Sequence, residues 1–509
     1  MRTAANRPQS PVPGIQYPLP RLPAESVLPT LRFALNYLTP MKTILRSLAA
    51  LSFAGFILSC GNAPQSDAEA KVIGHSDTRV LQHPDWSKNA TIYEVNIRQH
   101  TPEGTFNAFS KDIPRLKSMG VDILWLMPIH PIGEVNRKGG LGSHYSVKDY
   151  KAVNPSYGSL ADFKNLVKTA HDNGMKVIID WVANHSAFDN QWTTDHLEYY
   201  LLDTAGKIQP PLGTDWWDVA QLNYENKALW TGMTDALKFW VKECDIDGYR
   251  CDVAEKVPTP FWDQARAALD SIKPVFMLAE AERKEHHLKA FDMSYAWEFM
   301  HITNEVAKGE KKLSDIDAYM AKQDTAFPRS AYRMYFTTNH DENSWNGTGN
   351  ERLGSLRQTM DVLAMTIGGM PLLYSGQEGG EQKADGTPHR LSFFEKDTVQ
   401  WNNYKFQDFY TRLFKVHQEN PALWNGEFGG AFKKIKTSSD DVLYCFSRTK
   451  DNNQVVVMLN FSDKPQSVDF IENMPEGEYP SIFNAQSLTL YTKGHQELPP
   501  HGYQVFVKK

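Results

Sequence analysis

The sequence predicts a (β/α)8 barrel of the TIM-barrel type followed by a small antiparallel β-domain. Three observations predict it. Eight short apolar runs of strand type recur along the chain, several segments between them have helical periodicity, and past about residue 428 the pattern becomes alternating apolar stretches with turn residues between. Strands separated by helices imply a parallel sheet covered by those helices, and a count of eight points to closure into a barrel.

The runs, in order, are TIYEVN (91–96), DILWLM (122–127), KVIIDW (176–181), GYRCD (248–252), VFMLA (275–279), FDMSY (291–295), MYFTT (334–338) and MPLLY (370–374). Helical spacing is clearest in SLADFKNLVKTAHDNG and NKALWTGMTDALKFWVKE. After DWVANH about 40 residues precede the next helix, and a loop of that size inside a compact barrel is usually functional. DVLYCFSRT, QVVVMLNFS and GYQVFVKK supply the terminal β-domain. At 509 residues, 41% hydrophobic and 22% charged, the chain can bury a large core with one or two small domains beside it.

The N-terminal stretch reads as an address. Residues 1–40 are proline-rich and lie upstream of a complete signal with its own methionine, which marks them as a doubtful extension. From Met41, Lys42 and Arg46 precede an apolar run ending at Cys60, too short to span a membrane. The ILSC ending resembles a bacterial lipobox, so 41–59 is expected to be a lipoprotein signal, Cys60 the acylated first mature residue and 60–88 a linker. The expectation is an exported protein, periplasmic or at the cell surface, touching the membrane only through a lipid anchor. The remaining cysteines, Cys244, Cys251 and Cys445, have no paired spacing and imply neither disulfide nor zinc site. A net charge of −6 is mild and argues for no nucleic-acid partner. Thirteen Trp and 21 Tyr suit a flat, hydroxyl-rich ligand such as a sugar.

The chemistry lies at strand ends. Arg250 and Asp252 are two apart on one strand and share a face, while Cys251 takes the other. Such a pair is usually an ordinary salt bridge, unless more carboxylates converge on it. In a closed parallel barrel, catalytic groups come from the C-terminal strand ends. Those ends supply Asp180, Asn184 and His185 from DWVANH, Arg250 and Asp252 from GYRCD, Glu280 from FMLAEAE, and His340 and Asp341 from FTTNHDEN. Four of the eight tips thus carry acids or imidazoles.

These four stretches resemble, in the same order, the four short motifs of the α-amylase family of glycoside hydrolases. GSHYSVKDYKAVNPSYGSLADFK, GMPLLYSGQEGG and LPPHGYQVFV add to the likeness, which covers roughly residues 85–509. The resemblance implies a barrel over 89–428, a small domain B inserted after the third strand (186–223) and a C-terminal β-sandwich over 429–509. It implies Asp252 as nucleophile, Glu280 as general acid/base and Asp341 as third carboxylate. Tyr145, Asp180, His185, Arg250 and His340 would bind substrate. Retaining glycosidases need one ionised and one protonated carboxyl; Arg250 is expected to lower the pKa of Asp252, and an apolar approach to raise that of Glu280. Glu282, on the same strand parity, is a rival for Glu280. Trp192, Trp216 and Trp217 could be sugar platforms.

Two departures matter. DVAEKV lacks the Lys-His of many α-amylases and looks closer to the DVANEV of the neopullulanase and cyclomaltodextrinase branch. The fifth motif, usually Pro-Asp-Leu-Asn, reads AQLN at 220–223. Asn184 and Asn223 match positions that bind structural calcium in relatives, but carboxylates are sparse there, so calcium stays open. The implied activity is retaining hydrolysis of α-1,4-glucosidic bonds in starch, maltodextrin or maltooligosaccharides. The alternatives are a neopullulanase- or cyclomaltodextrinase-like hydrolase, a transglycosylase or isomerase of the same family, and an inactive glycan-binding barrel.

Overall fold

The computed structural model describes residues 81–473, 476–484, 487–490 and 495–508. The expected extension, signal, Cys60 and most of the linker lie outside the described residues.

Eight parallel strands close into a barrel: β1 (Ile92–Val95), β2 (Ile123–Leu126), β3 (Lys176–Trp181), β6 (Gly248–Cys251), β7 (Phe276–Ala279), β8 (Met293–Tyr295), β9 (Tyr332–Tyr335) and β10 (Met370–Tyr374). Between β3 and β6 a small antiparallel pair, β4 (His185–Ala187) with β5 (Val219–Gln221), ties the base of the long insertion. The period of two divides the strand side chains. Ile92, Ile123, Ile178, Phe276, Leu278, Met293 and Met334 fill the interior. Tyr93, Leu124, Val177, Tyr249, Cys251 and Met277 face outward into the layer shared with the helices. Cys251 therefore packs in that layer, as its alternation from Arg250 and Asp252 implied.

The helices obey their sequence signals. Ser159 caps Leu160–Asp172 through a reciprocal capping box with Asp162, and Phe163, Leu166, Val167 and Ala170 form its buried stripe. One strand departs from expectation. The apolar pattern places a strand at MYFTT, 334–338, but the strand is Tyr332–Tyr335 and pairs with β10 only at Met334 and Tyr335. Arg333 conceals its start: a charged residue breaks the apolar pattern, yet it is buried against Ser294 and Glu282. Residues 336–338 instead lead toward His340 and Asp341.

Gly248 opens β6 with φ of +153°. A Cβ there would sit 1.8 Å from the Phe276 carbonyl oxygen, so only glycine lets β6 and β7 approach at this point. The register that follows pairs Asp180 with Arg250 and Arg250 with Leu278. Backbone bonds from Asp252 N–H to the Trp181 carbonyl (2.9 Å) and from Glu280 N–H to the Cys251 carbonyl (3.0 Å) then carry the ladder to the strand tips. Three acids from three strands are thereby set at one rim.

The C-terminal domain is an antiparallel sheet of order β17-β14-β11-β12-β13-β18, formed from β11 (Ala431–Thr437), β12 (Leu443–Lys450), β13 (Asn453–Asn460), β14 (Gln466–Glu472), β17 (His495–Leu498) and β18 (Tyr503–Val507). A two-stranded ladder, β15 (Gly477–Pro480) with β16 (Ser487–Leu490), accompanies it. Leu443, Cys445, Val456 and Met458 pack under Tyr479 of β15. Their alternates Tyr444, Phe446, Val455 and Val457 join the core of the barrel helices.

Candidate functional site

A buried arginine organises the rim. Arg250 is fully enclosed, with Trp125 beneath it, the ring centroid 5.1 Å from its guanidinium carbon. Nη1 donates to Asp180 Oδ1 and to Asp252 Oδ1, both at 2.9 Å, and Nε donates to Tyr295 Oη at 3.2 Å. Nη2 lies 3.0 Å from Glu280 Oε2, an ion-pair distance without hydrogen-bond geometry. Asp252 and Glu280 are thus held on the two terminal nitrogens of one guanidinium.

The turn after Asp252 secures the second acid. Val253 adopts φ +35° and ψ +45°, an unfavourable region for a β-branched residue, and its N–H donates to Glu280 Oε2 at 2.7 Å. Asp341, from the tip beyond β9, faces the same cavity of about 550 Å³, which Tyr145, His185, Asp252, Glu280 and His340 also line. All three expected catalytic acids meet there. Glu282 does not: it is ion-paired with Arg333, and it lies outside the lining.

Burial governs the charges. It drives Asp252 well above the ordinary carboxylate range; Arg250 pulls back, while Glu280 and Asp180 push further up. Arg250 does lower Asp252, as expected, but burial outweighs it and Glu280 and Asp180 add to the rise, so the net shift is upward. Glu280 is also raised by burial, against Arg250 and with Asp341. Asp180 is raised by burial, against Arg250 and His340.

The substrate-binding candidates form one chain of contacts. Tyr145 Oη donates to Asp180 Oδ2 at 3.1 Å and lies 2.8 Å from His340 Nε2. His340 Nδ1 bonds Glu94 Oε1, and Asp341 Oδ2 is 3.3 Å from Nε2. Burial disfavours the imidazolium, but Asp341 and Glu94 raise its pKa to about 9. His185 lacks such partners, and burial pushes it down to about 3. The two histidines, alike in sequence, are therefore one cationic and one neutral at pH 7. His340 already spends Nε2 on Tyr145, so a bond to a sugar hydroxyl would have to compete with that contact.

Several residues escaped the sequence reading. Glu94 is a fully buried carboxyl in the apolar run IYEV, a signal that was present. Trp345, in the short helical turn Glu342–Asn346, and Phe393 and Phe394, on a loop, line the cavity from segments whose placement no strand pattern announces. Trp216 and Trp217 do line it, and Trp217 is 53% exposed. Trp192 instead stacks on Tyr150, its ring 4.8 Å away, and lies outside the lining.

The calcium positions do not converge. Gln221 Nε2 donates to the Asn184 carbonyl (2.9 Å), to Asn184 Oδ1 (3.3 Å) and to the Leu222 carbonyl (2.9 Å). An amide thus occupies the point where a cation would gather those oxygens. Asn223 turns elsewhere, its Oδ1 accepting from Glu225 N–H at 3.1 Å. Among the described residues no group of three or more His, Cys, Asp or Glu could hold a metal ion. The donor set does not fit calcium.

The family model for the alpha amylase catalytic domain matches residues 84–217 and 212–437. The chain belongs to the alpha-amylase family. It is similar to Alpha-amylase MalA of Haloarcula japonica, 25% identical over 415 residues that cover 78% of this chain and 58% of that protein. It is also 24% identical to a cyclomaltodextrinase of Thermoanaerobacter pseudethanolicus, over 80% of this chain and 75% of that one. The chain spans less than two thirds of the first curated relatives it matches. Among solved structures, a noncanonic maltogenic alpha-amylase from Thermotoga neapolitana aligns with a TM-score of 0.74 at 27% identity, covering 83% of this chain and 99% of that one. An alpha-amylase from Lactobacillus plantarum aligns at 0.73 and 28%, covering 83% and 100%.

The His340 arrangement predicts a pH signature. Its folded pKa of about 9 exceeds the ordinary 6.5. The stability it contributes is complete below about pH 6.5 and is lost as pH rises through about 9. The melting-temperature gap between the native chain and His340→Gln should therefore shrink by roughly 3 °C between those limits. A gap that is constant or widens with pH contradicts the cationic assignment.

Proposed function

We propose that this chain is a retaining glycoside hydrolase that cleaves α-1,4-glucosidic bonds of starch, maltodextrin or maltooligosaccharides by double displacement. The observation that carries the reading is the pairing of Asp252 and Glu280 on one guanidinium, facing one cavity with Asp341. Asp252 takes a full hydrogen bond from Nη1, whereas Glu280 approaches Nη2 without one and accepts instead from Val253 N–H. Burial raises Asp180, Asp252 and Glu280 against the buried cations Arg250 and His340, so a proton is held among them; double displacement requires it on Glu280, with Asp252, bonded by Nη1, ionised.

Asp252 attacks the anomeric carbon as the glycosidic bond breaks, and Glu280 gives its proton to the departing oxygen. Glu280 then takes a proton from water, whose oxygen bonds the anomeric carbon and releases Asp252. Asp341 accepts hydrogen bonds from ring hydroxyls as positive charge builds on the sugar. His340, held cationic by Glu94, fixes Tyr145 against Asp180 and keeps the cavity floor rigid. Transfer to a sugar hydroxyl in place of water is the second reading, favoured by the exposed Trp217 ring at the cavity mouth. Export as a lipoprotein acylated at Cys60 belongs to the same proposal and rests on the basic and apolar pattern of residues 42–60.

Replacing Glu280 by Gln should lower turnover of maltoheptaose by ~10³-fold, while α-maltosyl fluoride, whose leaving group needs no proton, should lose far less. Asp252→Asn should lose ~10⁴-fold on both substrates. Equal losses on both substrates for Glu280→Gln would contradict its role as acid. Because Gln221 fills the cation position, exhaustive chelation with EDTA should leave activity unchanged and the melting temperature within about 1 °C. Loss of both, restored by added calcium, would contradict this assignment.

A further inference from the structure

Trp345 lines the cavity of Asp252, Glu280 and Asp341 with its side chain half open to water, 52% exposed, and none of the catalytic assignments uses it. A lone exposed ring on an outer surface means little. A half-open indole held rigidly in the wall of an active-site cavity is a different case. Resting on the hydrolase reading above and deepening it, we propose that Trp345 is a binding platform for a second glucose unit of the substrate, adjoining the unit that Tyr145 and Asp341 hold at the cleavage point.

The turn after the third carboxylate sets the ring. Asp341 immediately precedes Glu342–Asn346, where Gly347 N–H reaches back five residues to the Glu342 carbonyl at 2.9 Å. Such a wide turn holds one residue more than an α-helical turn, and turns of this kind recur at functional sites. It is tied down from within. Asn343, almost fully enclosed, donates through Nδ2 to Glu381 Oε1 at 2.8 Å, and its Oδ1 accepts from Leu391 N–H at 2.7 Å. Ser344 Oγ donates to the Leu391 carbonyl at 2.9 Å. The turn is thereby joined to the loop bearing Phe393 and Phe394. That loop is anchored in its own right: Arg98 Nη2 donates to the Phe393 carbonyl at 2.8 Å and Gln99 Nε2 to the Ser392 carbonyl at 2.7 Å.

Two rings back the indole. Phe393 lies 5.1 Å from it and Phe394 5.8 Å, centroid to centroid. Phe393 is in turn nearly parallel to Tyr145, at 16° and 6.1 Å, and stands 6.3 Å from His340. Tyr145, Phe393 and Trp345 therefore make a row of rings in contact, which begins at the groups that hold the cleaved unit and ends in a ring open to water. The C–H face of a pyranose is flat and apolar and packs on an aromatic face, while its hydroxyls remain hydrated. A glucan repeats that face at every unit, so the unit beside the cleaved one meets Trp345. Because the turn and the loop behind it are already fixed, little conformational freedom is lost on binding.

The test is steady-state kinetics on maltoheptaose and on α-glucosyl fluoride, which fills only the cleaved position. Trp345→Ala should raise KM for maltoheptaose at least ~tenfold and lower kcat by less than ~threefold, since the platform binds ground state and transition state alike. On α-glucosyl fluoride the same variant should lose less than ~threefold in kcat/KM. Trp345→Phe, which restores a ring, should bring KM for maltoheptaose back to within ~threefold of native. Should the alanine variant fail to fold, Trp345→Gln, which keeps a long side chain but no ring, is expected to raise KM in the same way. A folded ringless variant with native KM, or with equal losses on both substrates, would overturn the platform and leave the hydrolase standing. A native chain that turns over neither substrate would overturn both.

Discussion

One enclosed guanidinium holds this site together. Arg250 sits where the apolar interior of the barrel ends, on Trp125 and beside Tyr295, and three carboxyls from three strands converge on it. Removing one partner of a buried ion pair typically costs about 3–5 kcal/mol, because the other charge is left without water. Each acid therefore depends on the arginine, and the arginine depends on the register that Gly248 allows. The same enclosure raises Asp180, Asp252 and Glu280 together, so a proton is held among them.

Much of this was legible in the sequence, for a physical reason. Barrel strands are buried on both faces, so KVIIDW and FMLAEAE stand out as apolar runs, and polar residues at their ends mark the rim. Asp180, Arg250, Asp252, Glu280 and Asp341 were found that way. Glu282 shows the limit of parity alone: two residues beyond Glu280 the chain has left the strand, and its carboxyl meets Arg333. β9 was misplaced because Arg333 is buried by pairing, an arrangement local hydropathy cannot register. The net direction of the Asp252 shift follows from its burial, with Glu280 and Asp180 adding to it, and both depend on the closed barrel, whereas the pairing with Arg250 shows in the sequence.

What sequence patterns leave out is loop meeting loop. Lys138, Phe394 and Asp215 lie far apart along the chain, and nothing periodic links them, yet their contacts fix the shape of the cavity. The Gln221 amide is similar. The altered AQLN motif showed that a residue had changed, but only the fold places that amide among the oxygens of Asn184 and Leu222. The catalytic rim and the surrounding loops are thus separable layers. The rim is set by strand register, and the loop contacts shape the cavity above it.

The central claim is that Asp252 is the ionised partner and bonds directly to sugar carbon. Incubation with a slow fluorinated α-glucosyl fluoride, followed by proteolysis and mass spectrometry of the peptides, tests it most directly. A glycosyl adduct on Asp252, formed in one-to-one stoichiometry as activity disappears, is the predicted result. An adduct on Glu280 or Asp341, or turnover with inverted configuration and no adduct, would contradict the account.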